Sequence, residues 1–256
     1  MTIRRTFLLA CLAAALSCAY PVLPAGAARI DWFLQPVWER ASRFSEGLAA
    51  VRSGGYWGYI EPGGRWVVGP TLSDAHPFRE GAAAVSVRGR WGFLDRKGKF
   101  FIPPAFDAAG SFCGELAAVR SADKWGYVDR AGRLAIPASF DLAGDFYQGR
   151  AAVALGGRYG FINRNGKWAV DPIYEGAWPF VEDRAAVLVK GRLGFLELSG
   201  GTAVEPRYDP VLGGKAFSGG VSGVALQGLW GFIDSAGNWA VEPSYEAVLD
   251  YSEGLA

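Results

Sequence analysis

A bulky residue followed by glycine recurs six times in this chain, at Trp57-Gly58, Trp91-Gly92, Trp125-Gly126, Tyr159-Gly160, Leu193-Gly194 and Trp230-Gly231. The glycines are spaced 34, 34, 34, 34 and 37 residues apart. A fixed period of that length marks a repeat architecture, in which one unit is too small to bury its own apolar face and must stack on its neighbours. A second ruler keeps the same phase: Phe44, Phe78, Phe112, Phe146, Phe180, Phe217 and Tyr251 each begin a Gly- and Ala-rich run. Trp32-Phe33-Leu34-Gln35-Pro36 matches Trp66-Val67-Val68-Gly69-Pro70 one step later, so the array opens with a partial unit. The three extra residues of the fifth interval fall in the loop Arg207 to Ala216, where an insertion leaves stacking elements intact.

Each unit reads as strands. Ala83, Val85 and Val87 alternate with Ala84, Ser86 and Arg88, and Gly89 then supplies the positive φ that a tight hairpin turn demands. Gly55, Asp123, Gly157, Gly191 and Gly228 hold the same place. The next strand, Trp91 to Leu94, closes in Asp95-Arg96-Lys97-Gly98, an acid and a glycine at the offsets of a turn. Asp129 with Gly132, Asn163 with Gly166 and Asp234 with Gly237 repeat it. A third strand, Lys99 to Ile102, is expected to end at Pro103, because proline cannot donate to a ladder. A loop of nine or so residues carrying an aromatic and an acid, such as Phe106-Asp107, completes the unit. A helical repeat of the same period is excluded by the several glycines and the proline of most units, each costing a helix interior roughly 1 to 3 kcal/mol.

The fold class expected is therefore all-β: a tandem array of three-stranded antiparallel meanders, about six and a half units long, propeller-like with six or seven small blades. In that arrangement the N-terminal third strand and the C-terminal first strand share a seam. An open β-solenoid is the alternative, since 34 residues is short for a four-stranded blade.

Residues 1–28 stand apart as an export signal. Arg4 and Arg5 precede an apolar run from Phe7 to Leu16, and the small residues Ala25-Gly26-Ala27-Ala28 follow a proline. The run is too short for a membrane span, and Ser17, Cys18 and Pro21 interrupt its continuation. The paired arginines resemble a twin-arginine signal. Ala15-Leu16-Ser17-Cys18 resembles a lipoprotein box but lacks its leucine, which ranks lipid anchoring below simple secretion. Residues 29–256 form the β domain, periplasmic or extracellular. Signal removal takes Cys11 and Cys18, leaving Cys113 unable to form an internal disulfide, and takes two of the 26 basic residues, leaving 24 against 25 acidic.

The full consensus is a bulky residue, Gly, an aromatic, an aliphatic, an acid, two residues and Gly, then an aliphatic strand, Pro, aromatic-acid and Phe-x-Glu-Gly. It resembles the bacterial WG repeat family across residues 31 to 256. Tyr159 and Leu193 depart from it in replacing the tryptophan, and Gly201 after Gly200 leads to the expectation of a distorted fifth unit. The resemblance implies a repeated β module presumed to mediate binding, and it brings no catalytic residues. Trp91 and Trp125 are expected to fill the gaps between units, each worth roughly 3 to 5 kcal/mol as a buried aromatic.

Little in the sequence carries chemistry. His76 is the one histidine, and no phosphate loop, dinucleotide fingerprint or metal-ligand cluster appears, so neither cofactor nor metal is expected. A net charge of +1 gives no case for nucleic acid. Asp95, Asp129 and Asp234 recur at the first turn position, which assigns them to turns before glycosidase carboxylates. Two basic series align with the repeat: Arg90, Lys124, Arg158 and Arg192 precede the bulky-Gly step, and Arg65, Lys99, Arg133 and Lys167 follow the second turn. The acids Glu46, Glu80, Glu115 and Glu182 sit in the opposite part of the unit. Arg90, Lys124, Arg158 and Arg192 are the candidate ligand surface, a positive edge for a polyanionic envelope polymer, with solvated turn tips as the plainer reading. The functional expectation is an exported, non-catalytic binding or scaffold module for a protein or envelope polymer, without a transmembrane span in the mature chain. The alternative is an envelope glycan hydrolase on a β-propeller, which requires non-repeating carboxylates that converge. N-terminal sequencing of the exported protein should find Ala28 or Arg29 first, whereas an intact Met1 would refute the signal.

Overall fold

The computed structural model describes residues 38–210 and 216–248. The export signal, the opening partial unit, Tyr251 and the expected seam between the chain ends lie outside the described residues. Six antiparallel sheets follow one another along the chain, and the described residues contain strands, turns and bridges without a helix. The first sheet runs Arg40–Ala41, Ala49–Ser53, Tyr56–Ile60, Trp66–Leu72, and the second Asp74–Ala75, Ala82–Val87, Arg90–Asp95, Phe100–Phe106. The third holds Ala108–Cys113, Leu116–Ser121, Lys124–Val128, Leu134–Phe140, and the fourth Leu142–Tyr147, Arg150–Leu155, Arg158–Asn163, Trp168–Tyr174. The fifth is Gly176–Ala177, Arg184–Val189, Arg192–Glu197, Thr202–Tyr208, and the sixth shows Val221–Leu226, Leu229–Asp234, Trp239–Tyr245. Strand order equals chain order within every sheet, as in the blades of a propeller, and among the described residues no strand of the first sheet pairs with one of the sixth.

Two local expectations are corrected. Five of the sheets have a fourth strand, because the stretch expected as a loop pairs along the outer side of the hairpin, as in Ala108–Cys113 on Leu116–Ser121. Thirty-four residues suffice for such a blade whether that added strand has two residues, as in three sheets, or six, as in the third and fourth. The last strand of each unit also continues through its proline: Phe100–Phe106 contains Pro103 and Pro104. Its register explains why. Trp91 opposes Phe106 while Phe93 opposes Ile102, so four steps on the edge strand face two on its neighbour, and the prolines ride in the bulge with no ladder bond to lose. The fifth unit, with its extra glycine, keeps the same register and turn.

The bulge accounts for the glycine after the bulky residue. A Cβ on Gly92 would lie 2.6 Å from Ile102 O, 2.7 Å from Pro104 N and 2.8 Å from Pro103 C. Gly126 faces Ile136 O and Ala138 N at 2.6 and 2.7 Å, and Gly160 faces Val170 O and Pro172 N at 2.5 and 2.8 Å. The folded-over edge strand thus lies on the space a side chain would need. Hairpin turns behave as their residues direct, with paired positive φ at Arg88 and Gly89 (50° and 78°) and at Ala122 and Asp123 (49° and 64°).

Stacking of the sheets rests on an aromatic pair different from the one expected. The residue after the bulky-Gly step meets the aromatic that opens the next Gly- and Ala-rich run: Tyr59 with Phe78, Phe93 with Phe112, Tyr127 with Phe146, Phe161 with Phe180, Phe195 with Phe217, centroids 4.8 to 5.1 Å apart. All ten rings are buried. Edge-on pairs of this kind add about 0.5 to 1.5 kcal/mol beyond their area. Trp57, Trp91 and Trp125 do pack against the intersheet clusters, but only half-buried.

A second link repeats on the turn side. The Phe-x-Glu-Gly glutamate accepts from backbone N–H groups of the next such turn: Glu46 from Gly81 (2.8 Å), Glu80 from Gly114 and Glu115 (2.7 and 3.0 Å), Glu182 from Gly219 and Gly220 (2.8 Å each). Gln148 takes the same role toward Asp183. These turns hold two successive positive φ values, so their N–H groups converge on one anion.

Gly92→Ala should therefore destabilise by about 2 to 3 kcal/mol through forced displacement of the bulge, whereas Gly63→Ala, with open space around it, should stay within about 0.5 kcal/mol. Phe93→Ala should cost about 3 to 5 kcal/mol and the half-buried Trp91→Ala less. Urea denaturation of the four variants checks this order.

Candidate functional site

Every member of the candidate basic row meets a carboxylate. Lys124 pairs with Asp141 (2.5 Å), Arg158 with Glu175 (3.7 Å), Arg192 with Asp209 (2.5 Å), and Arg90 with Asp107. Each acid lies 17 residues after its base and belongs to the aromatic-acid pair. Its second oxygen accepts from the hairpin turn of the following sheet: Ala122 N for Asp107 (3.1 Å), Gly156 N for Asp141 (2.7 Å), Gly191 N for Glu175 (2.9 Å), Gly228 N for Asp209 (2.8 Å). The Lys124 ammonium, then the Gly156 N–H, hold the Asp141 carboxyl below the usual range. The row is thus one half of a repeated clamp between consecutive sheets. In the second row, Arg65 pairs with Glu61 (2.6 Å) and Arg133 with Asp129 (2.7 Å).

The turn acids also have a structural task. Asp95 Oδ1 accepts from Lys97 and Lys99 N (2.9 Å each), and Asp234 Oδ1 from Ala236 and Asn238 N (2.9 Å each). Asp129 and Asn163 make the same two bonds. An oxygen that any Asp or Asn supplies at a turn is an Asx motif, and the acids stand singly on successive units.

Polar residues that differ between units assemble elsewhere, beside the Phe-x-Glu-Gly turns. The position after the aromatic reads Ser45, Arg79, Cys113, Tyr147, Val181, Ser218 along the array. Arg79, from the second unit, reaches past the third to the fourth: Nη1 is 3.2 Å from Asp145 Oδ2, and both Nη1 and Nη2 donate to Tyr147 Oη at 3.3 Å. Gly110 in the unit between makes room, since a Cβ there would sit 3.1 Å from Asp145 Oδ1. The His76 ring lies 4.8 Å from that of Trp91, tilted by 50°, and the His76 carbonyl accepts from Tyr59 Oη at 2.6 Å. Cys113 Sγ donates to Phe146 O at 2.6 Å, just as Ser45 Oγ donates to Phe78 O at 2.6 Å. The thiol therefore does a serine's work in the repeat.

Burial sets the protonation states. It pushes the His76 imidazole below its usual value, against the fields of Asp74 and Asp145, and the Asp145 carboxyl above its usual value, against Arg79 and His76. Burial also raises the Cys113 thiol, against Arg79. A thiol shifted upward is a poor nucleophile at neutral pH. What the cluster offers is directed hydrogen bonding: an imidazole, an arginine held by a carboxylate, and a phenol. In the sequence His76 and Cys113 stand 37 residues apart with nothing to join them. The available signal was the variability of one register position after a constant phenylalanine, but the Arg79–Asp145 approach spans 66 residues and has no local mark.

The family model described as WG containing repeat matches residues 31–57, 57–91, 91–125, 125–159, 159–192 and 230–256. No curated protein matches the sequence. Among solved structures the chain is similar to AztD from Citrobacter koseri, at 15% identity over 81% of this chain and 72% of that one, TM-score 0.49. It is similar also to BamB from Moraxella catarrhalis (13% identity, 79% and 75% covered, TM-score 0.48) and Hsv2 from Kluyveromyces lactis (10%, 74% and 70%, TM-score 0.46).

The lowered His76 value has a stability consequence. The unfolded chain binds a proton first, so His76 disfavours the fold as pH drops below about 6.5, and this contribution is absent above that value. Wild type should lose more stability than His76→Gln between pH 7 and pH 5, as measured by thermal denaturation in matched buffers. Equal losses would contradict the buried, neutral imidazole.

Proposed function

Because this chain belongs to the WG containing repeat family, we propose that it is an exported, non-catalytic binding or scaffold module, acting in the periplasm or outside the cell on a protein or an envelope polymer. The observation that carries this reading is the division of labour among polar groups. Those that repeat hold neighbouring sheets together, as in Lys124–Asp141 and Glu80 with Gly114 N. Those that vary, His76 and Arg79 of the second unit and Asp145 and Tyr147 of the fourth, gather on one side. A repeat scaffold gains specificity by varying residues at equivalent positions of a continuous surface, and the Arg79 side is such a surface. The half-exposed guanidinium, beside a phenol and an imidazole, suits a partner that brings acceptor oxygens.

Catalysis has less support. Asp145 is the carboxylate that burial keeps toward its protonated form, but the nearby Glu80 is engaged by two backbone N–H groups and by Arg130. A glycosidase needs two carboxylates facing one substrate. The Cys113 thiol is bound to a carbonyl and shifted away from thiolate.

The mature protein should bind one envelope fraction or exported protein, with Arg79→Ala or Tyr147→Phe weakening binding about tenfold. Arg158→Ala, on the hairpin side, should leave it unchanged. Titrations of the variants against anionic and neutral envelope polymers and an exported-protein fraction, at two salt concentrations, check this. Loss confined to Arg158→Ala, or turnover abolished by Asp145→Asn, would overturn the reading.

A further inference from the structure

At each sheet-to-sheet junction two fixed register positions recur. One is the bulky residue before glycine, which faces the following sheet. The other opens the last strand of the next sheet, as Phe100, Leu134, Trp168, Thr202 and Trp239 at the five junctions, and of these Phe100, Trp168 and Trp239 pack back against the cluster at their junction. Where that residue is tryptophan it lies edge-on against the aromatic ending the last strand of the preceding sheet. Trp168 meets Phe140 at 5.8 Å and 86°, and Trp239 meets Tyr208 at 5.6 Å and 79°. The junction between the fourth and fifth sheets differs. Its two positions hold Tyr159 and Thr202, so it is the one of the five that receives no tryptophan from either.

Thr202 pairs with Leu196 as Trp168 pairs with Ile162 and Trp239 with Ile233, so it points to the same side of its sheet. The aromatic it would meet is Tyr174, and a cavity of about 470 Å³ lies there, lined by Tyr174, Ile173, Val187, Val189, Leu196 and Thr202 among others. That volume is in the range of small-molecule sites. Ile173 is 66% exposed at its mouth and offers apolar surface to an occupant.

We propose that this cavity is a binding site for a small planar aromatic molecule of indole size, which takes the place that a tryptophan side chain fills at the junctions on either side. The occupant is identified by the molecule's own repeats. Two copies of the same register position put an indole edge-on against the equivalent ring, and here the backbone slot and the ring remain while the indole is replaced by threonine. Lys190, Arg192 and Glu205 line the opening, with Arg192 held by Asp209, so the entrance is polar and the wall behind it apolar. The site is distinct from the His76–Asp145 cluster and stands or falls independently of it.

Indole itself is the probe, titrated by calorimetry and by ligand-observed NMR into the full mature protein. Saturable one-to-one binding is expected, with nuclear Overhauser contacts to the Thr202 methyl group, and cyclohexanol should bind several-fold more weakly because it lacks the edge-to-face term. Thr202→Trp should raise Tm by several degrees and weaken indole binding at least tenfold, since the variant supplies its own occupant. Tyr174→Ala should weaken it about fivefold without filling the space. Absence of saturable binding, or equal affinity in Thr202→Trp, overturns the proposal. Should that variant fail to fold, absence of contacts from bound indole to Thr202 in the wild type does so.

Discussion

The last strand of each unit folds over a glycine, and most of the architecture depends on that contact. A residue with a Cβ at Gly92 would strike Ile102 O and Pro104 N, so the bulge closes only over glycine. The bulge in turn lets an edge strand carry proline and turns Phe106 back over Trp91. With the edge set, the chain leaves each sheet close to the next hairpin, and the acid after Phe106 falls within reach of both Arg90 and Ala122 N. One local steric requirement therefore places an intersheet clamp 15 residues away.

Buried rings and exposed polar ties share the stacking. The Tyr59–Phe78 type of pair supplies area and shape, while glutamate-to-turn bonds tie one rim and base-to-acid clamps the other, both together where the second sheet meets the third and the fifth meets the sixth. Exposed ion pairs add little stability singly. Their use here is geometric: each orients a turn whose N–H groups would otherwise need water, and the clamp recurs at four successive junctions. Residues engaged in this way are poor candidates for ligand contact, which moves attention from Arg90, Lys124, Arg158 and Arg192 to positions where the units disagree.

Disagreement between units takes two forms. On the turn side, unequal polar residues come together because the turns crowd closely enough for Arg79 to cross an intervening unit. Between the fourth and fifth sheets, a small residue replaces a large one and space opens against Tyr174. Both are visible only against the regular background. An isolated Thr202 or Arg79 would mean nothing in a fold without copies to compare.

The sequence by itself determined the all-β repeat, its 34-residue phase, the hairpin turns at Gly89 and its equivalents, and the role of Asp95, Asp129 and Asp234 at turns. These follow from local rules: φ preference, two-residue periodicity and side-chain-to-backbone bonds within four residues. Tertiary structure alone decided the rest. It added the fourth strand, because pairing along an edge depends on the neighbour that offers its N–H and C=O groups. It carried the chain through Pro103 and Pro104, because a bulge forms only against Gly92 on the adjoining strand. It chose Phe93 over Trp91 as the fully buried ring: both face the same side of one strand, but Phe93 lies in mid-strand and Trp91 beside the hairpin turn, where less of the neighbouring sheet covers it. And it brought Arg79 to Asp145 across 66 residues, a meeting set by how sharply successive sheets crowd at their turns, which no spacing in the chain encodes.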